Sequence, residues 1–312
     1  MTEHASRIVF MGSPEFAVST LDALLRAPGF EVVRVVTQPD RPKGRGQRLA
    51  PTPVKAYAIE HGLSLVTMAK TDYPEVVAGL RELDPAFAVV ASFGIILKKD
   101  LLELPRLGCV NLHASLLPRY RGVSPIQAAI LSGDAETGCT TMLMDEGIDT
   151  GAMLLTARVA IDPKDTAATL ERKLAAAGAP LVLRTLAGIL DGSVTPVPQN
   201  DAEASYTKKV RKEHGAIDWT KSAAAIERQI RAMTPWPSAY TGFSGKRLIV
   251  LDAAVSAAAA GSPGAVLSTA PFVVAAGEGA LEIRRVKVEG KSEMAASAFL
   301  SGYRLRPGDR LD

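Results

Sequence analysis

The sequence predicts an α/β domain with a mostly parallel sheet, followed by a small β-barrel domain. The chain has 312 residues, which is enough for two domains of ordinary size. Over its first two-thirds, short apolar runs alternate with helical patterns, which is typical of a parallel sheet with helices on both faces. In the last third, strand-like runs are separated by Gly and Pro, which indicates a small barrel of a kind that the spacing does not define.

The first domain is predicted to alternate strands with helices. The predicted strands are residues 7–12, 32–37, 63–66, 86–92, 109–113 and 138–144, and the predicted helices lie near 14–25, 53–61, 74–83, 124–133 and 166–190. Ser13 precedes the first helix and Pro14 suits its first position, so we expect the Ser13 side chain to cap that helix. Residues 166–190 are predicted to form one or two helices, with a bend expected at Gly178–Pro180.

Residues 191–207 are rich in Pro, Ser and acidic residues, which predicts a linker. The two domains are therefore predicted to span residues 1–190 and 208–312. In the second domain we expect one helix and then several strands. The helix is predicted near 222–233, and the strands at 247–255, 264–268, 272–277 and 280–290.

Composition narrows the class of protein. The chain is 47% hydrophobic and 22% charged, which is the balance of a globular protein. Its start lacks a basic segment leading into an apolar stretch, and no run of about 18 apolar residues occurs, so we expect no signal peptide and no membrane partner. Cys109 and Cys139 stand apart in apolar surroundings, which predicts reduced thiols in the cytoplasm and no metal site. For the oligomeric state we expect a monomer.

Basic charge is concentrated near the end of the chain. The net charge is +3, but residues 207–312 alone carry 16 Lys and Arg against 10 Asp and Glu. That excess is typical of a domain that binds a polyanion, and equally of a solvated basic surface.

An amide and an imidazole end one of the predicted strands. In CVNLH (109–113), Asn111 and His113 are two residues apart and therefore point to the same side of the strand. At the C-terminal edge of an α/β sheet, where ligands bind, the amide can donate to a developing oxyanion and the imidazole can move a proton. An isolated pair of this kind more often marks satisfied polar residues at a strand end.

An acidic loop follows the predicted strand 138–144. The stretch MDEGIDTG (144–151) brings Asp145, Glu146 and Asp149 onto a loop punctuated by glycine. If the fold brings this loop to the strand that ends at His113, one carboxylate would hold the orientation of the imidazole. Otherwise it is an acidic loop in solvent.

A basic segment follows the second predicted strand. QPDRPKGRGQRLAP (38–51) carries Arg41, Lys43, Arg45 and Arg48 without a helical or strand period. It is interpreted as a flexible arm that contacts phosphates, with a solvated charged loop as the alternative. The first strand–helix turn has neither a GxGxxG nor a P-loop pattern, which argues against a nicotinamide dehydrogenase and an ATPase.

Several of these stretches together resemble one known family. NLHASLLPRYRG and MDEGIDTG, at this separation, are similar to the folate-dependent formyltransferase family, and FMGSPEF, TQPDRPKGRG, GDAETG, GAIDW and MTPWPSAY extend the resemblance over nearly the whole chain. The resemblance implies a Rossmann-like catalytic domain and an OB-like second domain that binds tRNA. It implies 10-formyltetrahydrofolate as donor, and as acceptor the α-amino group of methionine on initiator methionyl-tRNA, for translation initiation.

The resemblance also implies roles for individual residues. By motif position, the catalytic residues are Asn111, His113 and Asp149. The residues associated with binding the formyl donor are Ser115, Leu116, Leu117 and Pro118, and those that approach the tRNA are Arg41, Lys43, Arg45 and Arg48. The stretch VVASFGIIL (89–97) resembles a wall of the folate pocket, with Phe93 where other members often have Tyr.

Three other functions share part of this pattern. A formyltransferase acting on a small amine needs the same three catalytic residues but not the basic segment or the basic second domain. Transfer of the formyl group to water, as by a deformylase, needs no tRNA. A nucleic-acid-binding protein with a catalytically silent α/β domain has no use for the three residues.

Overall fold

The computed structural model describes residues 5–43, 48–257 and 261–312. The chain divides into two compact units, each assembled from three segments. The first unit comprises Met1–Gly122, Glu136–Ala160 and Glu171–Thr207, and the second comprises Val123–Ala135, Ile161–Leu170 and Lys208–Asp312.

The strands, in chain order, are β1 Ser6–Gly12, β2 Phe30–Thr37, β3 Arg41–Lys43, β4 Arg48–Ala50, β5 Leu65–Thr67, β6 Phe87–Ala91, β7 Cys109–His113, β8 Arg121–Gly122, β9 Glu136–Leu143, β10 Met153–Ala160, β11 Tyr206–Thr207, β12 Ala239–Phe243, β13 Lys246–Ser256, β14 Val266–Thr269, β15 Phe272–Ala275, β16 Ala280–Val288 and β17 Glu293–Ala295. The helices are α1 Glu15–Arg26, α2 Pro53–Glu60, α3 Tyr73–Arg81, α4 Lys99–Leu102, α5 Pro125–Ser132, α6 Ala167–Leu190, α7 Ala223–Ala232 and α8 Ala296–Tyr303.

The sheet of the first unit has the strand order β10-β9-β7-β6-β1-β2-β5. Its five central and edge strands from β7 to β5 run parallel, whereas β9 is antiparallel to β7 and β10 is antiparallel to β9. Every residue of β6 and of β7 is buried, as expected for strands covered on both faces. The predicted α/β fold with a mostly parallel sheet is therefore confirmed.

The residue between β1 and α1, Ser13, has a different role from the helix cap that the sequence predicts. Helix α1 begins at Glu15, and no side chain caps its first turn. The Ser13 hydroxyl instead donates to the Phe93 carbonyl at 3.4 Å and accepts from the Gln38 backbone N–H at 3.2 Å. The predicted cap was wrong because the hydroxyl joins the C-terminal ends of three neighbouring strands, which need polar partners inside the protein.

Helix α6 is a single helix of 24 residues with Pro180 inside it, not two helices. It is long and apolar enough to cross a membrane, but half of its most apolar stretch is buried in the protein. It packs closely on the sheet: a Cβ at Gly178 would lie 2.6 Å from Leu112 Cδ2, and the Thr185 and Thr141 hydroxyls are 2.8 Å apart. These contacts are those of a core helix.

The segment 191–207 follows α6 and is bonded into the first unit. Val197 and Met153 exchange backbone hydrogen bonds of 2.8 Å, and β11 pairs with β8 in parallel. We call residues 197–207 the strap. The boundaries predicted from composition, at residues 190 and 208, stay predictions.

The second unit contains an antiparallel sheet, which agrees with the strand-rich second domain that the sequence predicts. Its strand order is β12-β13-β16-β15-β14, and β17 pairs with β16. Ser222 caps α7, which packs on this sheet together with buried aromatic side chains. Among them, Trp219 donates its indole N–H to the Thr241 hydroxyl at 2.9 Å, which satisfies the polar atom of a buried ring.

Candidate active site

Strand β7 carries Asn111 and His113 into the interior of the first unit. The strand lies between β6 and β9, and the two residues are 8% and 6% exposed. Because they are two positions apart, they face the same side of the sheet, as the sequence predicts. Buried polar groups need partners, and those of this pair come from two loops.

Asp149 provides the carboxylate that joins these side chains. Its Oδ1 accepts from Asn111 Nδ2 at 3.4 Å, and its Oδ2 lies 3.6 Å from His113 Nδ1. Oδ2 also accepts the backbone N–H of Gly122 at 2.8 Å. The structure therefore brings Asn111, His113 and Asp149 together from separate parts of the chain.

The hydrogen-bond partners of His113 define its orientation. Nε2 is 2.9 Å from the backbone carbonyl oxygen of Tyr120. A carbonyl oxygen only accepts, so we assign the hydrogen of this bond to Nε2. Nδ1, beside the Asp149 carboxylate, is then the nitrogen that is left to exchange a proton.

Asp149 adopts an uncommon backbone conformation. Its φ is 54°, in the left-handed region, which Asp tolerates better than most residues but at a cost. Of the other acidic residues in this loop, Asp145 shapes the turn: its carboxylate accepts from the Gly147 N–H at 3.0 Å and from the Thr150 hydroxyl at 2.7 Å. Glu146 is exposed. Asp149 alone of the three is joined to Asn111 and His113.

The four residues predicted to bind the formyl donor follow His113 directly. Ser115 and Leu117 are buried, whereas Leu116 and Pro118 are partly exposed. The Ser115 hydroxyl donates to the Arg119 carbonyl at 2.6 Å, and the Leu117 N–H donates to the Thr140 hydroxyl at 3.1 Å. Ser115 and Leu117 thus hold the shape of the loop, and Leu116 and Pro118 are the two that remain accessible to a ligand.

The basic segment has more structure than the sequence predicts. Arg41–Lys43 and Arg48–Ala50 pair as an antiparallel hairpin, although the sequence of the segment has no strand period. The Arg41 and Arg48 side chains are exposed. Arg45 lies outside the described residues. The preceding acid, Asp40, is paired with Lys55 at 2.6 Å, so its charge is already matched.

Two residues beside the site were not singled out from the sequence. Gln199, in the strap, donates its Nε2 to the carbonyl oxygens of Asp149 at 2.8 Å and of Gly151 at 2.7 Å. Arg121 is 1% exposed and donates to Gln199 Oε1 at 2.9 Å. Composition had marked the strap as a linker, and in PRYRG (118–122) no sequence signal distinguishes the buried Arg121 from the exposed Arg119.

The charge of Arg121 is well supported. Burial by itself lowers the pKa of the guanidinium, but hydrogen bonds to Asp201 and Tyr206 offset it, so that the pKa of Arg121 lies above its ordinary value. The Asp201 carboxylate is 2.8 Å away and the Tyr206 hydroxyl 2.9 Å away. Arg121 therefore remains a cation and can only donate hydrogen bonds.

The thiols and metal-binding side chains stand apart from this site. Burial raises the pKa of both Cys109 and Cys139 to about 12, so these thiols stay protonated near neutral pH. Within the ranges 5–43, 48–257 and 261–312, no group of three or more His, Cys, Asp or Glu could hold a metal ion. The chemistry available here is that of an amide, an imidazole and a carboxylate.

Family models identify the class of protein. The formyl transferase model matches residues 6–186, and the model for the C-terminal domain of formyl transferases matches residues 209–304. The chain belongs to the formyl transferase family, as its motifs had indicated.

Individual relatives are similar over nearly their whole length. A methionyl-tRNA formyltransferase of Geobacter metallireducens is 46% identical over 306 residues, which is 97% of this chain and 98% of that protein. A methionyl-tRNA formyltransferase of Citrifermentans bemidjiense is 46% identical over 307 residues, which is 98% of this chain and 96% of that protein. Among solved structures, an N-formyltransferase from Helicobacter canadensis in complex with folinic acid and dTDP-3-aminofucose has a TM-score of 0.67 at 21% identity, covering 89% of this chain and 97% of that one. The last likeness shows the fold alone.

We expect Gly122→Ala to lower both stability and formyl-transfer activity. Gly122 has a φ of +102°, and a Cβ there would lie 2.7 Å from the Thr207 carbonyl oxygen. The overlap should cost about 1–3 kcal/mol of stability, in addition to the cost of the left-handed backbone conformation. It should also move the N–H that binds Asp149, which should lower turnover about tenfold. Thermal unfolding and a formyl-transfer assay measure the two effects.

Gly29→Ala is the matched control for this variant. Gly29 also has a positive φ, of +87°, but a Cβ there would meet nothing within 4 Å. It should lose about 1 kcal/mol from the backbone alone and keep full activity. Equal stabilities and equal activities for the two variants would contradict a steric clash between a side chain at position 122 and the Thr207 carbonyl.

Proposed function

We propose that this chain transfers the formyl group of 10-formyltetrahydrofolate to the α-amino group of methionine on initiator methionyl-tRNA, giving formylmethionyl-tRNA and tetrahydrofolate for translation initiation. The observation that carries the proposal is the cluster of the buried Asn111 and His113 with the partly buried Asp149, at the C-terminal end of β7. Membership of the formyl transferase family and the names of full-length relatives support the donor and the acceptor.

The chemistry is acyl transfer between two nitrogens. The neutral amine of methionine attacks the formyl carbon, and the new C–N bond gives a tetrahedral intermediate with a negative oxygen. The bond to N10 of the folate then breaks, and the proton lost by the amine ends on N10. The donor already presents an activated formyl group, so the chemistry calls on side chains for orientation, charge stabilisation and proton movement.

Asn111 and His113 are assigned to the oxyanion. His113 donates from Nδ1 when that nitrogen carries a proton, because the Tyr120 carbonyl engages the N–H at Nε2. The bond from Asn111 Nδ2 to Asp149 is long, at 3.4 Å, so the amide gives up little when it donates to a substrate oxygen. Donors that are already oriented in a buried site stabilise developing charge strongly, because they need not reorganise during the reaction. Asp149 holds both side chains and, through His113 Nδ1 or a water, assists the proton transfer.

The donor is assigned to the loop that follows His113. Leu116 and Pro118 supply the accessible surface, while Ser115 and Leu117 hold the loop in place. Phe93 is buried and has no hydroxyl, so a contact that a tyrosine would make at this position is absent. The carbonyl of Phe93 is fixed by Ser13 and by Gln38 Nε2, the latter at 2.7 Å.

The tRNA is assigned to two basic regions. Arg41, Lys43, Arg45 and Arg48 are proposed to meet phosphates near the acceptor end, and residues 208–312, as an OB-like domain, to bind more of the tRNA. The catalytic domain is proposed to span residues 1–190. A monomer in the cytoplasm, without a membrane partner, is part of the same proposal.

Formyl transfer to methionyl-tRNA from 10-formyltetrahydrofolate, with initiator and elongator tRNA side by side, tests the function. We expect transfer selective for the initiator, and a loss of about 100-fold or more in His113→Ala, because an oxyanion donor is removed. His61→Ala changes an exposed histidine outside the site and should retain activity. Folate turnover without tRNA formylation would contradict methionyl-tRNA as the acceptor and would indicate a small amine or water instead. The absence of folate turnover would contradict the assignment of the chain as an enzyme.

Removing two charges from the hairpin should weaken tRNA binding in a salt-dependent way. For Arg41→Ala combined with Arg48→Ala, we expect the slope of log K against log salt to fall by about two, because about two phosphate contacts are lost. Lys99→Ala combined with Arg106→Ala removes the same charge from exposed residues elsewhere in the first unit and should leave the slope unchanged. If both double variants lower the salt dependence of tRNA binding equally, a phosphate contact specific to Arg41 and Arg48 is contradicted.

A further inference from the structure

The Asp149 turn is held from two directions by one short segment. Gly122 donates its backbone N–H to the carboxylate of Asp149. The neighbouring residue, Arg121, reaches the main chain of Asp149 through the side chain of Gln199. The carboxylate and the backbone of Asp149 are therefore positioned by consecutive residues, although Gln199 comes from the strap.

The orientation of the Gln199 amide follows from its partners. Arg121 can only donate, so the amide oxygen of Gln199 must face the guanidinium. The carbonyls of Asp149 and Gly151 can only accept, so the amide nitrogen must face them. The reverse orientation would oppose donor to donor and acceptor to acceptors. One side chain thus links the two carbonyls on either side of Thr150.

Arg121 is in turn fixed along its whole length. Its backbone N–H donates to the Ser205 carbonyl at 2.8 Å, and its carbonyl accepts from the Thr207 hydroxyl at 3.1 Å. Its guanidinium binds Gln199, Tyr206 and Asp201. The carboxylate partner, Asp201, is 84% exposed, so the burial of Arg121 depends on the strap as a whole.

We propose that Gln199 is a positioning residue for formyl transfer, which acts by holding the left-handed turn at Asp149, and that Arg121 fixes the amide of Gln199. This inference rests on the proposed function. The cost of a positive φ at Asp149 has to be met by contacts that fix the turn, and Gln199 supplies two of them. If they are lost, the carboxylate moves away from Asn111 and His113 while the substrate pockets stay intact.

The test is steady-state formyl transfer to methionyl-tRNA by Gln199→Glu. The glutamate keeps the shape and the acceptor for Arg121 but cannot donate to the two carbonyls. We expect kcat to fall by about 10-fold to 100-fold, with KM for donor and tRNA changed less than about twofold. Gln199→Met, which also lacks the donors but adds no charge, should give the same split and replaces Gln199→Glu if that variant does not fold.

Gln229 offers a matched control. Its Nε2 also donates to two backbone carbonyls, those of His214 and Ala216, each at 2.8 Å, and it is buried. Gln229→Glu should lower the unfolding temperature about as much as Gln199→Glu but should keep kcat. An unchanged kcat in both Gln199 variants, or a loss of kcat in Gln229→Glu equal to that in Gln199→Glu, would overturn the proposal.

The same substitution in an Asp149→Ala background separates a positioning role from other causes. If Gln199 acts through Asp149, Gln199→Glu should have no further effect on kcat there, whereas independent losses would multiply and overturn the inference. A wild-type protein that forms no formylmethionyl-tRNA would contradict the proposed function. That result is distinguishable, because it does not depend on any Gln199 variant.

Discussion

The arrangement of this site depends on one carboxylate in a left-handed turn. Asp149 contacts both other predicted catalytic residues, Asn111 and His113, and it also binds the N–H of Gly122. Without it, a buried amide and a buried imidazole at the end of β7 would lack a common partner, which costs free energy and loses their orientation. The positive φ of Asp149 is the strain that the surrounding hydrogen bonds maintain.

The fold provides this turn through the order of its strands. The parallel strands β6 and β7 end at the same edge of the sheet, and β9 pairs antiparallel to β7, with His113 opposite Thr140. The loop between β9 and β10 therefore begins near the start of β7 and returns its Asp149 to the buried pair. The strap then closes over the same loop, since Gln199 binds it and Ser205 and Thr207 bind the segment before Gly122.

Much of this was predictable from the sequence, and the remainder depended on long-range contacts. The period of two in CVNLH predicts that Asn111 and His113 share a face, and the alternation of strands with helices predicts the parallel sheet. The preference of serine for the start of a helix gave Ser13 the wrong role, because its hydroxyl has better partners at the neighbouring strand ends than at the helix. Local sequence patterns also gave no role to Gln199, since a segment with few apolar residues can be ordered by polar bonds to a buried arginine more than 75 residues away in the chain. The two short strands of the basic hairpin show the same limit, because pairing and not period defines them.

The rates of a single turnover in His113→Ala, Asp149→Ala and the double variant test the central claim most directly. If the carboxylate and the imidazole work as one unit, the double variant should lose about as much activity as the more damaging single variant, because either change already disables the pair. If the two losses instead multiply, His113 and Asp149 act independently, and the account of a site organised by the Asp149 turn is contradicted.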